Sequence, residues 1–508
     1  MIALLVGVSS YLFAGILSLI LDRYRFWFSL TGWLGALIGI SLGFVSHLGS
    51  GSAVSTVGGW GILGIEIIVD GTTLLFAGLV LALNFFTLIY LRGKKEGQFY
   101  CLYNFLLAST FSIAFSHDLF NLYVAIEFMS LVSILLIGYE RKAYQIYAGA
   151  KYLLISSLAM SLYLIGLGFV YRIGGNLGVQ ELANSLEEFE GFSLSLGLGL
   201  MVAGLAVKGG VFLFSMWLPD AHSYSDTVVS ALLSGMAVKS GLIGIIRVSE
   251  LVGLGQLLLV LGILTGIAGG IFALVSQKPK RILAHSTISQ VGYILIGIST
   301  GTPAGILAAS LHLFFHGMFK ALLFLSVGAA GVGVNNIAET KGLSLPWTSK
   351  VGLFVGAVSI MAIPPFNKYF SKTLLTEQVN QEWAWFAMLV IGLLTALYTL
   401  KLSWALIVEA GTEESGEKGV AILVFSVAVG FSSLLAWFIL GGGEMAKLLS
   451  WHHLAVYLVI PLVGGLVLLG LRERLNELFA PYLPFSLENS LVSLFTGFLL
   501  IELVLLVF

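Results

Sequence analysis

Sixteen apolar stretches, each near the roughly 20 residues that cross a bilayer's hydrocarbon core, leave this 508-residue chain few alternatives. They run over about 2–21, 26–46, 72–91, 99–116, 118–139, 145–171, 196–217, 226–248, 252–276, 281–299, 303–330, 351–375, 383–410, 419–441, 453–471 and 487–507. Within lipid every backbone N–H and C=O must find a partner inside the protein, which favours helices. Charge agrees with this reading. There are 25 basic and 26 acidic residues, 10% of the chain, where soluble proteins carry about 25%. A soluble fold, a disordered chain and a nucleic-acid binder are thereby excluded. The expected fold is an all-α polytopic membrane protein with about 14–16 transmembrane helices. The first stretch lacks a basic leader and a small-residue cleavage site, so it reads as a retained helix.

The basic residues set the expected orientation. Arg23, Arg25, Arg92, Lys94, Lys95, Arg141, Lys142, Lys278, Lys280, Arg281, Lys341, Lys350, Lys418, Arg472 and Arg474 follow odd-numbered stretches. Connections on the other face hold Arg172, Arg247 and Lys447. The positive-inside rule then places both termini outside a cell membrane. The single cysteine, Cys101, can build neither a disulfide nor an iron–sulfur site within the chain.

Seven lysines remain inside apolar stretches: Lys151, Lys208, Lys239, Lys320, Lys368, Lys372 and Lys401. The acid Glu127 is similarly deep. A charge at the bilayer centre costs roughly 2.5–3.5 kcal/mol on insertion scales. Lys151 and Lys401 lie near helix ends, where they can snorkel. Lys208 and Lys239 lie near mid-helix; they are functional, or a buried pair that fixes packing. A desolvated lysine holds or releases a proton readily, and Glu127 against Lys208 would make a switchable pair.

Two stretches contain breaks. One reads Lys208-Gly209-Gly210 and stops at Trp217-Leu218-Pro219; the other has Pro364-Pro365 before Asn367, Lys368 and Lys372. Each break lies in a five-helix segment, 99–248 or 252–410, which points to inverted repeats with an ion site near each break. The expected organisation is N-terminal helices over 1–98, two half-channels over 99–248 and 252–410, and C-terminal helices over 411–508. In the stretch near 303–330, His312, His316 and Lys320 recur every fourth residue and share a helix face. A zinc site would need a third ligand, and no HExxH glutamate is present. A proton relay suits imidazoles better. His285 is either the relay's entry or a helix cap.

These residues resemble a known family. Asn121-Leu-Tyr-Val-Ala-Ile-Glu127-Phe-Met-Ser, Tyr147 to Ser157, Gly204 to Gly235, Ala237-Val-Lys239-Ser-Gly, Ala284 to Gly292, His312 to Phe324 and Ile363 to Lys372 resemble, in order, motifs of Mrp-type cation/proton antiporter subunits. The same family includes the large membrane subunits of complex I and of membrane-bound hydrogenases. The resemblance covers about residues 70–410. It implies two inverted five-helix bundles that move H⁺ or Na⁺ through a lateral Lys/His/Glu relay. By that analogy Glu127, Lys208, Lys239, His312, His316 and Lys372 carry the path. Secondary candidates are Lys151, His285, Lys320, Lys368, Lys401, Asp220 and His222. It also implies other membrane subunits as partners, and a peripheral redox module whose iron–sulfur or nickel–iron centres lie outside this chain.

The chain departs from the family at the first break, where Leu213 and Ser215 replace a usual proline and histidine. The loop Ala221 to Leu233 lacks two usual prolines, and Lys368 replaces a glycine. A non-pumping scaffold subunit is therefore a second reading. A third is a polytopic transferase using Asp220, His222 and Asp226 as an acid/base cluster. No Walker loop or dinucleotide fingerprint is present, so energy comes from a partner or an ion gradient.

Overall fold

All sixteen apolar stretches overlap helical segments of the computed structural model, which describes every residue except 1, 59–63, 93, 188, 190, 334–335, 341–342, 479–485 and 508. Lys341 therefore lies outside the described residues, as do the side chains of Arg472 and Arg474. Helices α1 (Ile2–Ile20), α2 (Arg25–Ser50), α3 (Gly71–Leu91), α4 (Gly97–Phe115), α5 (Leu119–Ile137) and α6 (Ala143–Gly174) come first. Then follow α7 (Val179–Leu186), α8 (Phe192–Gly209), α9 (Leu218–Tyr224), α10 (Thr227–Leu232), α11 (Val238–Ser249), α12 (Gly255–Val275), α13 (Pro279–Ser299) and α14 (Pro303–Ala329). The chain continues with α15 (Trp347–Ile360), α16 (Asn367–Glu377), α17 (Glu382–Ser403), α18 (Lys418–Phe431), α19 (Ser433–Leu448), α20 (Trp451–Leu478) and α21 (Leu487–Val507). Among the described residues, twelve helical spans are long and apolar enough to cross a membrane, and three shorter apolar helices accompany them. The protein is thus a multi-pass, helical membrane protein. The strict count is below the expected 14–16, in part because the stretch over 351–375 is interrupted between α15 and α16.

Short polar side chains set several helix starts. Asp70 accepts from Thr73 N at 2.7 Å, Asp118 from Asn121 N at 2.7 Å and Thr302 from Gly305 N at 3.0 Å. Each satisfies an orphan N–H of a first turn. The connections hold small sheets that composition did not reveal. Strands β1 (Ala53–Val57) and β2 (Ile65–Val69) pair antiparallel, with Ala53 opposite Val69. Strands β3 (Ser344–Pro346) and β4 (Gly411–Glu413) pair in parallel.

The chain forms two compact units. The first comprises Met1–Trp217, Met236–Leu257 and Leu487–Phe508; the second comprises Leu218–Gly235 and Leu258–Ser486. In the first unit, α21 straps the break after α8. Ser493 Oγ donates to Leu213 O at 2.6 Å. Leu213 itself sits at φ 73°, a left-handed conformation rare for a branched residue. The break therefore persists without the family's proline. Gly210 closes α8 in the left-handed conformation, and Trp217 Nε1 donates to Val207 O at 2.9 Å. That indole adds a second donor to a carbonyl that Gly210 N also reaches, at 3.3 Å.

Candidate functional site

In the first unit the buried lysines cluster at helix crossings. Lys208 occupies the last turn of α8 and is buried. Its ammonium donates to Ser130 Oγ on α5 at 2.6 Å and to Ser156 Oγ on α6. It also lies 5.5 Å from the centre of the Tyr152 ring, which stacks on Trp217 at 4.1 Å. Glu127 lies one helical turn before Ser130 and is half-buried. Among the described residues, its Oε1 is buried without a hydrogen-bond partner. Serine hydroxyls, and not the Glu127 carboxylate, receive the Lys208 ammonium.

Lys239 is completely buried near the start of α11, just after a π-helical turn over Leu233–Ala237. Two residues on, Gly241 meets the backbone of α8 at Lys208 and Gly209, and a Cβ there would overlap Gly209 N. A glycine is thus required where the two lysine-bearing helices touch. Lys151 is buried on α6 rather than snorkelling to a surface.

The second unit holds the histidines. His312 and His316 on α14 are fully buried, with parallel rings 6.4 Å apart. His312 Nδ1 lies 3.1 Å from Ser371 Oγ, and Ser371 precedes Lys372 on α16. Lys320 donates to Leu283 O at 3.0 Å and to Ser286 Oγ. His285 is buried two turns into α13, with its ring 5.6 Å from that of Phe272. Its place inside the helix removes the capping alternative.

The two lysines of α16 have different surroundings. Lys368 Nζ donates to Ile360 O at 2.6 Å, the last residue of α15, and so closes the second break from within. Lys372 stands over Tyr293 at 5.2 Å and Tyr457 at 4.9 Å. Gly392 makes room for it, since a Cβ there would come within 2.7 Å of the ammonium. Lys401 donates to Leu274 O and Ser276 O at 2.8 and 2.9 Å, which caps the end of α12. Lys368→Met should orphan the Ile360 carbonyl and cost about 1–3 kcal/mol. Thermal unfolding of the purified protein in detergent checks this, and an unchanged midpoint would remove Lys368 from the break.

Several expectations need correction. Asp220 pairs with Arg281 at 2.7 Å, Asp226 caps α10 through Val228 N at 2.9 Å, and His222 is buried against Phe324. Those three side chains serve the packing of α9, α10 and α13 and do not assemble as an exposed acid/base cluster. Lys280, counted as a surface charge, is buried and donates to Ser225 O at 2.8 Å.

Arg247, counted in a connection, is buried on α11. It pairs with Asp70 at 3.0 Å and Glu250 at 2.9 Å. Glu250 in turn meets His117 Nε2 at 2.9 Å, and Glu66 meets His117 Nδ1. Burial pushes the Asp70 carboxyl up, but the Arg247 guanidinium outweighs it and holds the group down at about 2. Burial lowers the His117 imidazole, yet its hydrogen bonds to Glu250 and Glu66 raise it above its ordinary value. The sequence also hid a second deep acid. Glu502 on α21 is buried against Gly199 of α8; its place five residues from the last stretch's end masked its depth. Among the described residues, no group of three metal-ligating side chains comes together.

Residues 116–399 fit the family described as NADH:quinone oxidoreductase/Mrp antiporter, TM. The chain is 32% identical to an NADH-quinone oxidoreductase membrane subunit of Desulforudis audaxviator over 364 residues, 67% of this chain and 72% of that protein. It is also 32% identical to a Na(+)/H(+) antiporter subunit of Alkalihalophilus pseudofirmus, over 70% of this chain and 76% of that one. Its fold resembles a chain of the membrane-bound sulfane sulfur reductase, an archaeal respiratory membrane complex, with a TM-score of 0.78 at 22% identity, covering 91% and 97% of the two chains. With more than half its length matched by the family's membrane region, and 32% identity to curated members, the chain belongs to the NADH:quinone oxidoreductase/Mrp antiporter family of membrane subunits.

Proposed function

We propose that the chain is an ion-translocating membrane subunit of a larger assembly, moving protons, alone or in exchange for Na⁺. The observation that carries this reading is the setting of Lys208. It is buried at a helix break and held by two serine hydroxyls. A hydroxyl both accepts from an ammonium and donates to an amine. The pocket therefore accommodates the lysine in either protonation state once Ser130 Oγ turns from Ile126 O, to which it donates at 2.7 Å, and Glu127, one turn before Ser130 on α5, biases the choice. A carboxylate clamp would instead fix the charge, as Asp70 and Glu250 fix Arg247.

Lys239 extends this set in the first half. His312, His316 and Lys372 form the corresponding set in the second, with Lys320 and His285 in support there and Lys151 of α6 in the first. The two halves act as inverted five-helix half-channels over 99–248 and 252–410, between the flanking helices of 1–98 and 411–508. Lys368 and Lys401, tied to backbone carbonyls, are helix caps. Both termini face the outside of a cell membrane. The relatives' names place such subunits in Na⁺/H⁺ antiporters and NADH-quinone oxidoreductases. Partner membrane subunits, and a redox module carrying its own cofactors, would supply the driving force.

The lost prolines motivate a scaffold alternative. The break they would enforce is nevertheless maintained by Gly210, Leu213 and Trp217. Glu127→Gln in the reconstituted assembly separates the two readings. Vesicle uptake of H⁺ or Na⁺ should fall severalfold, because the carboxylate no longer biases the Lys208 proton. Equal uptake by wild type and variant would assign the subunit to the scaffold.

A further inference from the structure

One cavity in the second unit connects groups that the relay does not yet include. It has a volume of about 210 Å³ and is bordered by Lys372, Thr376 and Glu377 of α16, Trp385 of α17, and His453 and Tyr457 of α20. One water needs only about 10–15 Å³ of such space and two to four polar partners; Lys372, Thr376, Glu377, His453 and Tyr457 supply partners for a connected chain, between the apolar Met388, Leu389 and Val456. Along α16 the spacing of four puts Thr376 one turn beyond Lys372 on the same face, and Glu377 follows. Thr376 Oγ and Tyr457 OH lie 3.4 Å apart, between the lysine and the mouth.

Exposure grades along this line. Lys372 is buried at 3%. The side chains of His453 and Glu377 are 25% and 34% exposed, with His453 Nε2 3.8 Å from Glu377 Oε1. Ser450 Oγ lies 3.0 Å from His453 Nδ1 and orients the ring. The other ionisable groups around Lys372 are Tyr293 on α13, Tyr457 on α20 and Lys368 one turn back on α16. Lys368 is tied to Ile360 O, which leaves Lys372 to face the cavity.

We propose that Glu377 and His453 form a proton-exchange pair at the mouth of a water passage serving Lys372. Resting on the ion-translocating reading above, this names the group that exchanges with bulk water at the α16–α17 end of the unit. In the uptake direction the His453 imidazolium gives a proton to the first water. A proton moves along the chain, and the Lys372 amine becomes an ammonium. The imidazole is then reprotonated from bulk water, and release is the reverse sequence. The Glu377 carboxylate, 3.8 Å from the ring, gives the mouth an acceptor and attracts cations to it. No atom or electron is left over in either direction.

The test uses the whole assembly in oriented vesicles, in a Cys101→Ser background. Single cysteines replace Thr376 in the passage, Asn380 in the α16–α17 connection, and Gly416 in the connection before α18. A membrane-impermeant thiol reagent should label Thr376→Cys from the side that labels Asn380→Cys, at least about tenfold faster than from the side that labels Gly416→Cys. Glu377→Gln and His453→Gln should each move the midpoint of the transport pH profile by about one unit while leaving the Thr376→Cys labelling in place. No labelling of Thr376→Cys, labelling from the Gly416 side, or pH profiles superimposable on wild type would each overturn the pair. If the assembly moved no ions yet Thr376→Cys labelled as expected, the passage would stand and the translocation reading would fall. Ion movement with a silent Thr376→Cys would do the opposite.

Discussion

Lys208→Ala should reduce ion uptake by the reconstituted assembly at least about tenfold. Loss of a positioned acid–base group typically costs about 10²–10⁴-fold in enzymes, and Lys208 is the buried base at the first break. The alanine leaves Ser130 and Ser156 able to donate to helix carbonyls, as Ser130 already does to Ile126 O at 2.7 Å. The variant is therefore expected to fold and assemble. Two controls make the result specific. Ser156→Ala should retain uptake and shift its pH dependence, since one of two hydroxyl partners remains. Lys401→Met should disturb the end of α12 and leave the pH dependence unchanged, because Lys401 acts on the carbonyls of Leu274 and Ser276. Uptake by Lys208→Ala within twofold of wild type, with normal assembly, would remove Lys208 from the path.

Arg247→Met should be the most damaging single change to stability, at about 3–5 kcal/mol. Breaking a buried ion pair strands the remaining charge. The stranded group is chiefly Asp70, with a side chain 21% exposed; Glu250 is 37% exposed and water screens it. The same loss releases Thr73 Oγ1, to which Arg247 donates at 3.2 Å, and unsettles the start of α3. Thermal unfolding in detergent reads the effect, and a midpoint within about 1 °C of wild type (roughly 1 kcal/mol for a chain of this length, at about 2.1 cal/mol/K per residue) would contradict it.

The network also sets a pH window. Both ring nitrogens of His117 face carboxylates, and only imidazolium donates from both. Its raised native value means that its stabilisation is complete below about 6.5, the unfolded value. That contribution is lost as pH rises through the native value. Asp70, held down at about 2, contributes fully above about 3.9 and fades as pH falls toward about 2. His117→Gln should therefore flatten the alkaline decline of the unfolding midpoint and leave the acid side unchanged. The same slope in wild type and variant would show that His117 does not set it.

Much of this protein was legible along the chain. Lys208, Lys239, Lys320, Lys368 and Lys372 were recognisable from the cost of placing an ammonium inside an apolar stretch, and the structure buries all five. The two breaks were recognisable from Gly209-Gly210 and Pro364-Pro365. The end of the seventh stretch was misjudged, because Val211 to Met216 is as apolar as a helix yet turns away after Gly209. Arg247 and Lys280 were read as surface charges because they lie close to helix ends. Partners distant in sequence, Asp70 and the Ser225 carbonyl, draw them into buried positions.

What the sequence determined by itself is residence in the bilayer and the depth of the charges that lie far from a helix end. Both follow from hydropathy along one dimension, where the cost of burying a charge depends on its distance from a helix end. What only the tertiary structure decided is the task of each buried charge. Lys368 and Lys372 are one turn apart on one helix and look alike in sequence. One is spent on the carbonyl of Ile360 and the other faces a cavity with Glu377 and His453 at its mouth. The packing of α21 against α8, which brings Ser493 to Leu213 and Glu502 to Gly199, was equally invisible. The physical reason is the same in each case. A buried polar group is defined by the partner that satisfies it, and here that partner often comes from another element, up to hundreds of residues away.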